Sequence, residues 1–277
     1  MNINVLKSNG ELVPFDEHKL LSALMRSGAG RREAEEVVSI VVSRIHEGTK
    51  TKKIYRIAYD ILKRKSSYLA GRYRLKKAVF DLGPSGYPFE KYVSKLLESQ
   101  GYDIEINRIQ KGKCVNHELD VVAENDYEKL MIECKFHQDK GRKNDVKIPL
   151  YIHSRFLDVK AAWEQNSSKK MIGMVVTNTR FSGDATDYAK CVGMRLVSWD
   201  YPQGNSLRDW VDRSGYHPVT SIRSLSKSVK QMIMQEGIVL CRELLETPEI
   251  LSKVGLPLPK RTTVIREAEA IVNGIDK

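Results

Sequence analysis

The fold of this chain is decided by one stretch, VNHELDVVAENDYEKLMIECKF, which occupies positions 115 to 136. Two apolar runs flank a short polar segment, a pattern that predicts two β-strands joined by a hairpin. In the first strand Glu118 and Asp120 are two residues apart, so both side chains leave the same face. In the second strand Glu133 and Lys135 also share a face. Each predicted strand therefore carries charge at one point and is otherwise built for burial.

Two interpretations of these charges remain open on residue chemistry alone. One is an edge strand with a solvated acid–lysine pair. The other is a buried strand, which the apolar neighbours Leu130, Ile132 and Phe136 favour. Buried charges are costly unless they are paired or bound to a metal. Two carboxylates and a lysine together form a hard-oxygen site suited to Mg²⁺, with an ammonium group nearby to hold an anion.

The spacing of Asp120 and Glu133-Cys134-Lys135 resembles the D…(E/D)xK signature of the restriction-endonuclease-like nucleases. The residues around it resemble the Mrr-type branch of these enzymes. The matching positions are Phe89-Glu90, Leu96-Leu97, Gly101-Tyr102, Val175-Val176-Thr177-Asn178, Phe181, Ala185, Tyr188-Ala189 and Gly193. The resemblance implies an α/β/α core with a mixed sheet and metal-dependent hydrolysis of DNA phosphodiesters.

The resemblance also assigns roles to individual residues. Asp120 and Glu133 would hold one or two Mg²⁺ or Mn²⁺ ions, with the carbonyl of Cys134 as a further ligand. Lys135 would orient the attacking water or stabilise developing negative charge. Glu90 would join the metal site or support it, although an acid at a positive helix N-terminus is an alternative explanation. Glu118 is either a further ligand or a strand-edge acid.

Strand alternation places His117 on the face opposite to Asp120. The sequence therefore predicts no catalytic role for His117, in spite of its suitable chemistry.

The charge of the chain predicts a polyanionic partner. The formal net charge is +11. Between Lys50 and Lys77 there are eleven Lys and Arg residues and a single acid, Asp60. Such a block indicates nucleic acid or nucleotide phosphates as ligands.

The sequence also predicts a cytoplasmic protein without a membrane segment. The four cysteines show no CxxC pairing, so neither a zinc site nor a disulfide framework is indicated. No apolar run reaches membrane-spanning length, and no signal-peptide pattern is visible.

A second resemblance covers the first 83 residues, where the sequence predicts a small β-hairpin followed by four helices. Asn9-Gly10 is the predicted turn, and Asp16 the predicted N-cap of the first helix. Several positions resemble the ATP-cone domain. They are Val5, Lys7, Gly10, Val13, Phe15, Asp16, Lys19, Lys50-Thr51 and Leu69-Ala70-Gly71-Arg72-Tyr73.

The cone resemblance implies a regulatory nucleotide, ATP or dATP. Lys7 and Lys19 would meet its phosphates, with Asp16 and Thr51 close by. Ser8 stands where cones often carry a basic residue, so the choice of nucleotide stays open. Cones act as assembly switches, which implies a homo-oligomer.

The pattern divides the chain into a cone at 1–83, a nuclease domain at 84–205 and a small helical domain at 206–277. The last domain either serves dimerisation or packing, which the pattern favours, or grips DNA backbones. Three functions are weighed: a nucleotide-regulated DNA endonuclease in restriction or defence, a non-cleaving nucleic-acid binder, and an ATP/dATP-sensing regulator. The complete set of Asp120, Glu133 and Lys135 favours the endonuclease. No helix-turn-helix or zinc-ribbon pattern supports the regulator.

Overall fold

The computed structural model describes residues 3–7, 10–165 and 167–273, and of Ser67 and Tyr68 it describes the backbone. The chain divides into two compact units. The first combines the N-terminal part, up to Ala78, with the part from His217 onward. The second is Val79–Tyr216. The chain therefore crosses between the units twice.

The N-terminal part of the first unit contains a three-stranded sheet and five helices. Its strands are β1 (Asn4–Leu6), β2 (Leu12–Pro14) and β3 (Thr49–Lys50). Its helices are α1 (Glu17–Arg26), α2 (Arg31–Val42), α3 (Thr51–Lys65), α4 (Ser67–Tyr73) and α5 (Leu75–Phe80). Strand β1 pairs antiparallel with β2 and parallel with β3.

The predicted hairpin and helices are present, with two differences. Strand β3 was not predicted, because two residues are too short for a periodic pattern. The last predicted helix is divided at Arg74, whose backbone leaves the helical region. Asp16 is the predicted cap of α1, and its carboxylate accepts a hydrogen bond from the Lys19 amide at 2.9 Å. The predicted turn at Asn9 lies outside the described residues.

The C-terminal helices lie in the same unit as the N-terminal helices. They are α10 (Lys227–Gln235), α11 (Cys241–Glu246), α12 (Ile250–Lys253) and α13 (Leu258–Asn273). Thr220 donates from its hydroxyl to the Ala78 carbonyl at 2.6 Å, and Arg72 donates to His217 at 3.1 Å. Ala270 packs on the core that helices α1 to α4 form. The C-terminal helices thus belong to the same compact unit as the N-terminal helices.

The second unit is built on a five-stranded mixed sheet of order β10-β8-β6-β5-β4. The strands are β4 (Asp103–Lys111), β5 (Asn116–Glu124), β6 (Glu128–Lys135), β8 (Lys170–Thr177) and β10 (Arg195–Val197). A separate pair is formed by β7 (Lys143–Asn144) and β9 (Arg180–Phe181). The helices are α6 (Tyr87–Glu98), α7 (Lys147–Trp163), α8 (Gly183–Cys191) and α9 (Leu207–Ser214).

Helices cover both faces of this sheet. Successive residues of β6, Leu130 and Met131, point to opposite faces, and both are buried. Met131 packs in the core that α7 and α8 share, while α6 packs against β4, β5 and β6. The strands β4, β5 and β6 are antiparallel neighbours, whereas β6, β8 and β10 run parallel. The predicted α/β/α core with a mixed sheet is therefore confirmed.

Helix α7 begins at Lys147, and it tolerates Pro149 because proline fits the first turn of a helix. The polar segment before α7 contains β7, where Asn144 is buried.

The domain borders predicted at 83/84 and 205/206 differ from the unit borders, since α9 lies in the second unit. Those domain borders stay predictions. None of the helices in the described part of the chain is long and apolar enough to cross a membrane.

Candidate active site

The cleft that carries the predicted site opens where two central strands diverge. The β5–β6 ladder runs from Glu124↔Lys129 to Val121↔Ile132. Beyond this point β5 stays paired with β4, and β6 stays paired with β8 as far as Lys135. The divergence leaves a cleft of about 380 Å³. Its lining residues are Asn116, His117, Glu118, Asp120, Glu133, Tyr151 and Arg155.

Asp120 is the first residue of β5 beyond the paired region. Its Oδ2 accepts a hydrogen bond from the backbone amide of Cys134 at 2.7 Å. This bond spans the divergence and replaces a ladder hydrogen bond. It also holds the carboxylate beside the strand that carries Glu133.

Both oxygens of the Glu133 carboxylate accept hydrogen bonds from basic side chains. The side chain is in the interior, with the residue 7% exposed. Lys135 donates from Nζ to Oε1 at 2.5 Å, and Arg155 donates from Nη1 to Oε2 at 2.7 Å. A buried charge is costly unless it is paired in this way. Glu133 and Lys135 therefore form a fixed pair on one face of β6.

Glu90 reaches the same site from the first turn of α6. Burial, followed by the charges of Asp120 and Glu133, raises the pKa of Glu90 to about 7. Burial and then the charge of Glu133 raise the pKa of Asp120 to about 6, against the opposing effect of the Cys134 amide. The structure thus brings Glu90, Asp120, Glu133 and Lys135 together, with more negative charge than the neighbouring cations offset.

The oxygen donors of this site suit a small divalent cation. Across residues 3–7, 10–165 and 167–273, no three His, Cys, Asp or Glu side chains form a metal-binding group. Mg²⁺ does not require one, because it usually takes one or two carboxylates and keeps several waters. Asp120, Glu133 and the carbonyl of Cys134 match that donor set. Glu118 lines the same cleft, with its side chain exposed.

Arg155 lines the cleft but was not predicted from the sequence. It lies on α7, 22 residues after Glu133, and its guanidinium also donates to the main-chain carbonyl of Glu118. No short motif links it to the carboxylates. The available signal was its position on α7 beside the apolar positions Ile152, Phe156 and Val159, where a solvated basic residue is not expected.

A polar network fixes the chain just after Lys135. The Thr177 hydroxyl donates to the Lys135 carbonyl at 2.7 Å. The Asn178 side chain accepts from the His137 amide at 2.9 Å and donates to its carbonyl at 2.8 Å. The His137 ring lies 2.8 Å from Oδ1 of Asn144. The sequence reasoning missed this network, because its members come from three distant segments.

His117 is engaged in a structural contact. Its Nε2 lies 2.8 Å from Oδ2 of Asp158 on α7. Asp158 also accepts from the backbone amides of Cys114 and Val115, at 2.7 and 3.2 Å. These hydrogen bonds, led by that of His117, lower the pKa of Asp158 well below its ordinary value. The arrangement fastens the β4–β5 connection to α7.

The four predicted nucleotide ligands lie at two places in the cone. Lys7 follows β1 directly and pairs with Glu11 at 3.1 Å. Thr51 begins α3, next to Lys50, which pairs with Leu6 across the sheet. Lys7 and Thr51 therefore lie at the same end of β1 and β3. Asp16 and Lys19 lie at the start of α1, where the Asp16 carboxylate is used in capping.

A mixed sheet whose diverging strands carry Asp120, Glu133 and Lys135 is the arrangement expected of a restriction-endonuclease-like domain. Family comparison agrees: the restriction endonuclease family of Mrr type matches residues 84–203. The ATP cone domain matches residues 3–79, and the AF1548-like C-terminal domain matches 217–272. Both predicted resemblances are thereby confirmed: the chain is an ATP cone fused to an Mrr-like restriction endonuclease domain.

One relative is an uncharacterized protein of Archaeoglobus fulgidus. It is 37% identical over 181 residues, which are 65% of this chain and 99% of the relative. A solved structure, that of the protein of unknown function AF1548, is similar with a TM-score of 0.58 and 35% identity. That similarity covers 69% of this chain and all of the solved chain. The chain belongs to the family of the A. fulgidus protein.

Proposed function

We propose that this protein is a nucleotide-regulated, metal-dependent DNA endonuclease, acting in restriction or defence. The observation that carries the proposal is the cleft between the diverging strands. There Asp120 and Glu133 stand beside Lys135, inside a domain of the restriction endonuclease family. Metal-dependent hydrolysis of a phosphodiester needs carboxylates that hold a divalent cation and a positively charged group near the phosphate.

The proposal assigns a role to each of five residues at or beside the cleft. Asp120, Glu133 and the Cys134 carbonyl would hold Mg²⁺ or Mn²⁺. When bound, the ion would lower the pKa of a bound water and offset charge on the phosphate. Lys135, held in place by Glu133, would orient the attacking water or stabilise the developing negative charge. Glu90 would support the carboxylate cluster from α6.

The phosphate contacts are proposed at two basic surfaces. On α3 one exposed helix face carries Lys52, Lys53, Arg56, Lys63 and Arg64. In the second unit, Lys140, Arg142 and Lys143 are exposed between β6 and α7, and Lys147 is exposed at the start of α7. Contacts of this kind hold a duplex without reading its sequence.

The cone would supply the regulation. ATP or dATP would bind near Lys7, Lys19, Asp16 and Thr51. Occupancy would change the association of copies of the chain or the rate of cleavage.

A second candidate function is a non-cleaving DNA binder. The observation that favours it is the double pairing of Glu133, since both oxygens already have cationic partners. A cation would have to share that carboxylate with Lys135 and Arg155.

The test is incubation of plasmid DNA with the purified protein and Mg²⁺ or Mn²⁺, with and without ATP. Cleavage is expected from the wild type and is expected to disappear in Asp120→Ala, Glu133→Ala and Lys135→Ala variants that remain folded. Equal activity of the wild type and Glu133→Ala would discard this site. A wild type that binds DNA but cuts it under none of these conditions would establish the non-cleaving alternative.

A further inference from the structure

The divergence of β5 and β6 leaves main-chain groups without their usual partners in the neighbouring strand. Side chains replace the ladder at two points. The first is the Asp120 carboxylate, which accepts from the Cys134 amide. The second is Arg155, which reaches both strands at once.

The Arg155 guanidinium bridges the two strands through different nitrogens. Nη1 donates to Oε2 of Glu133 on β6, and Nη2 donates to the carbonyl of Glu118 on β5. The side chain is 14% exposed, and its Cζ lies 5.6 Å from the centre of the Tyr151 ring. The guanidinium thus contacts three groups, the Glu133 carboxylate, the Glu118 carbonyl and the Tyr151 ring, and these contacts fix its orientation.

A second contact, one turn along α7, reinforces this bridge. Asp158 bonds the His117 ring at 2.8 Å and the Cys114 amide at 2.7 Å. Helix α7 therefore holds β5 at two successive residues, His117 and Glu118. The contacts of Asp158 therefore position β5 relative to α7 separately from the hydrogen bond between Arg155 and Glu133.

We propose that Arg155 is a positioning residue that fastens β5 to β6 across the cleft and fixes the Glu133 carboxylate for the divalent cation. The proposal rests on the proposed nuclease function and adds a residue to it. Groups that orient a metal ligand typically change metal affinity or activity by roughly 10- to 100-fold when they are removed.

The bridge requires arginine rather than a positive charge alone. Arginine presents several donors in a rigid planar fork, so one side chain can bond two acceptors in fixed directions. A lysine ammonium is a point charge on a flexible chain. If Arg155 only balanced the negative charge of the cleft, lysine would serve equally well. Arg155→Lys therefore separates positioning from charge compensation.

The experiment compares Arg155→Lys and Arg155→Met with the wild type, using Lys160→Met as the matched control. Lys160 lies on the same helix and pairs with Glu164 at 3.4 Å, away from Glu133 and Glu118. Mn²⁺ is titrated into DNA-free protein and followed by electron paramagnetic resonance. We expect Arg155→Lys to weaken Mn²⁺ binding by roughly 10- to 100-fold, with Lys160→Met unchanged.

Hydrogen exchange is measured on the same metal-free proteins. At 116–120 and 133–135, exchange in Arg155→Lys is expected to be faster by roughly tenfold, the factor that follows from losing a hydrogen bond with a charged donor. Arg155→Met should show the same increase. Plasmid cleavage is then measured as kcat and KM, and the loss is expected in kcat.

Wild-type Mn²⁺ affinity and wild-type exchange in Arg155→Lys would overturn the proposal. A wild type that cleaves no DNA would refute the nuclease function instead, while the exchange data would still decide whether Arg155 joins the strands. Rapid exchange confined to the Arg155 variants would then support the bridge by itself.

Discussion

At the scale of single residues, the site is a cluster of acids, and the cations Lys135 and Arg155 both pair with the same one, Glu133. Glu133 is paired with Lys135 and Arg155, whereas Glu90 and Asp120 retain pKa values of about 7 and about 6. Burial is the main cause of both shifts. The negative charges of these buried carboxylates repel one another in the metal-free protein, and a bound cation would reduce that repulsion.

The pH dependence of stability tests this reading of Glu90. The pKa of Glu90 is raised from 4.5 to about 7 in the folded state, so the folded protein retains a proton that the unfolded chain releases. Its contribution to the free energy of unfolding therefore falls as the pH rises from about 4.5 to 7. Glu90→Gln cannot ionise. Its stability relative to the wild type should increase over this interval and level off above pH 7.

The measurement is urea unfolding of both metal-free proteins at several pH values between 4.5 and 8. A stability difference that is constant over this range would show that Glu90 does not titrate in the manner described.

The sequence revealed part of this site because part of it is local. Glu133 and Lys135 lie two residues apart on one strand, and Glu118 and Asp120 lie two residues apart on the strand before it. Strand alternation alone therefore gives each pair a common face. Arg155 and Asn144 could not be found in this way. Their partners are distant in the chain, and only the packing of α7 and β7 brings them close.

At the scale of the elements, the hairpin of β5 and β6 was predictable from alternation and turn residues, but its divergence was not. Where two strands separate depends on what each pairs with on its other side. Where β5 and β6 no longer pair with each other, β5 continues to pair with β4 and β6 continues to pair with β8. That information is held by segments on either side of the hairpin. The cleft is therefore a property of the whole sheet.

The fastening of the β4–β5 connection to α7 is expected to depend on Gly112. A Cβ at this position would lie 2.2 Å from Oδ2 of Asp158 and 2.8 Å from the Val115 carbonyl. Asp158 cannot move freely because it is bonded to His117 and two amides. Gly112→Ala should lower the free energy of unfolding by roughly 1–3 kcal/mol, the usual cost of overpacking.

Gly183→Ala is the matched control for this substitution. An added Cβ at Gly183 meets no atom within 4 Å, and the residue begins α8, where alanine is favourable. Denaturant unfolding of the two variants gives the comparison. Equal stability of Gly112→Ala and the wild type would mean that this contact is not tight.

At the scale of the whole molecule, the two ends of the chain form one unit and the nuclease region forms the other. The sequence could identify the terminal helices but not their location, since amphipathic spacing shows that a face is buried and not what buries it. Contacts such as that of Ile271 on α13 with Gly71 on α4 determine which surface buries the C-terminal helices. The nuclease unit is consequently joined to the first unit by two covalent connections, at 78/79 and 216/217.

Binding of DNA should depend steeply on salt, because the exposed face of α3 is strongly basic. Each neutralised phosphate contributes about 0.9 to the slope of log affinity against log salt. Lys63→Gln combined with Arg64→Gln should therefore reduce the slope by about two. Lys190→Gln, an exposed residue paired with Asp187, is the control and should not change it. Fluorescence anisotropy between about 50 and 200 mM salt measures the slope. An unchanged slope in the double variant would exclude α3 from the DNA interface.

Nucleotide should act on the nuclease through the connections between the units. A ligand changes activity only through its different affinity for two states. Typical coupling energies correspond to changes of roughly 5- to 150-fold. We expect ATP or dATP to change the cleavage rate or the oligomeric state by a factor in this range. Lys7→Ala combined with Lys19→Ala should abolish the response and leave basal cleavage intact.

Sedimentation and cleavage, measured side by side with and without nucleotide, test this coupling. Binding of nucleotide that changes neither quantity would make the cone a passive module.

The most direct test of the account uses Asp120→Asn. The asparagine oxygen can still accept from the Cys134 amide, while the charge that the nuclease chemistry requires is removed. Supercoiled plasmid is incubated with Mn²⁺ and either protein, and the melting temperature of both is recorded. The account predicts cleavage by the wild type, a loss of roughly 10²- to 10³-fold in Asp120→Asn, and a melting temperature at or above that of the wild type. Cleavage by a folded Asp120→Asn protein at the wild-type rate would contradict it.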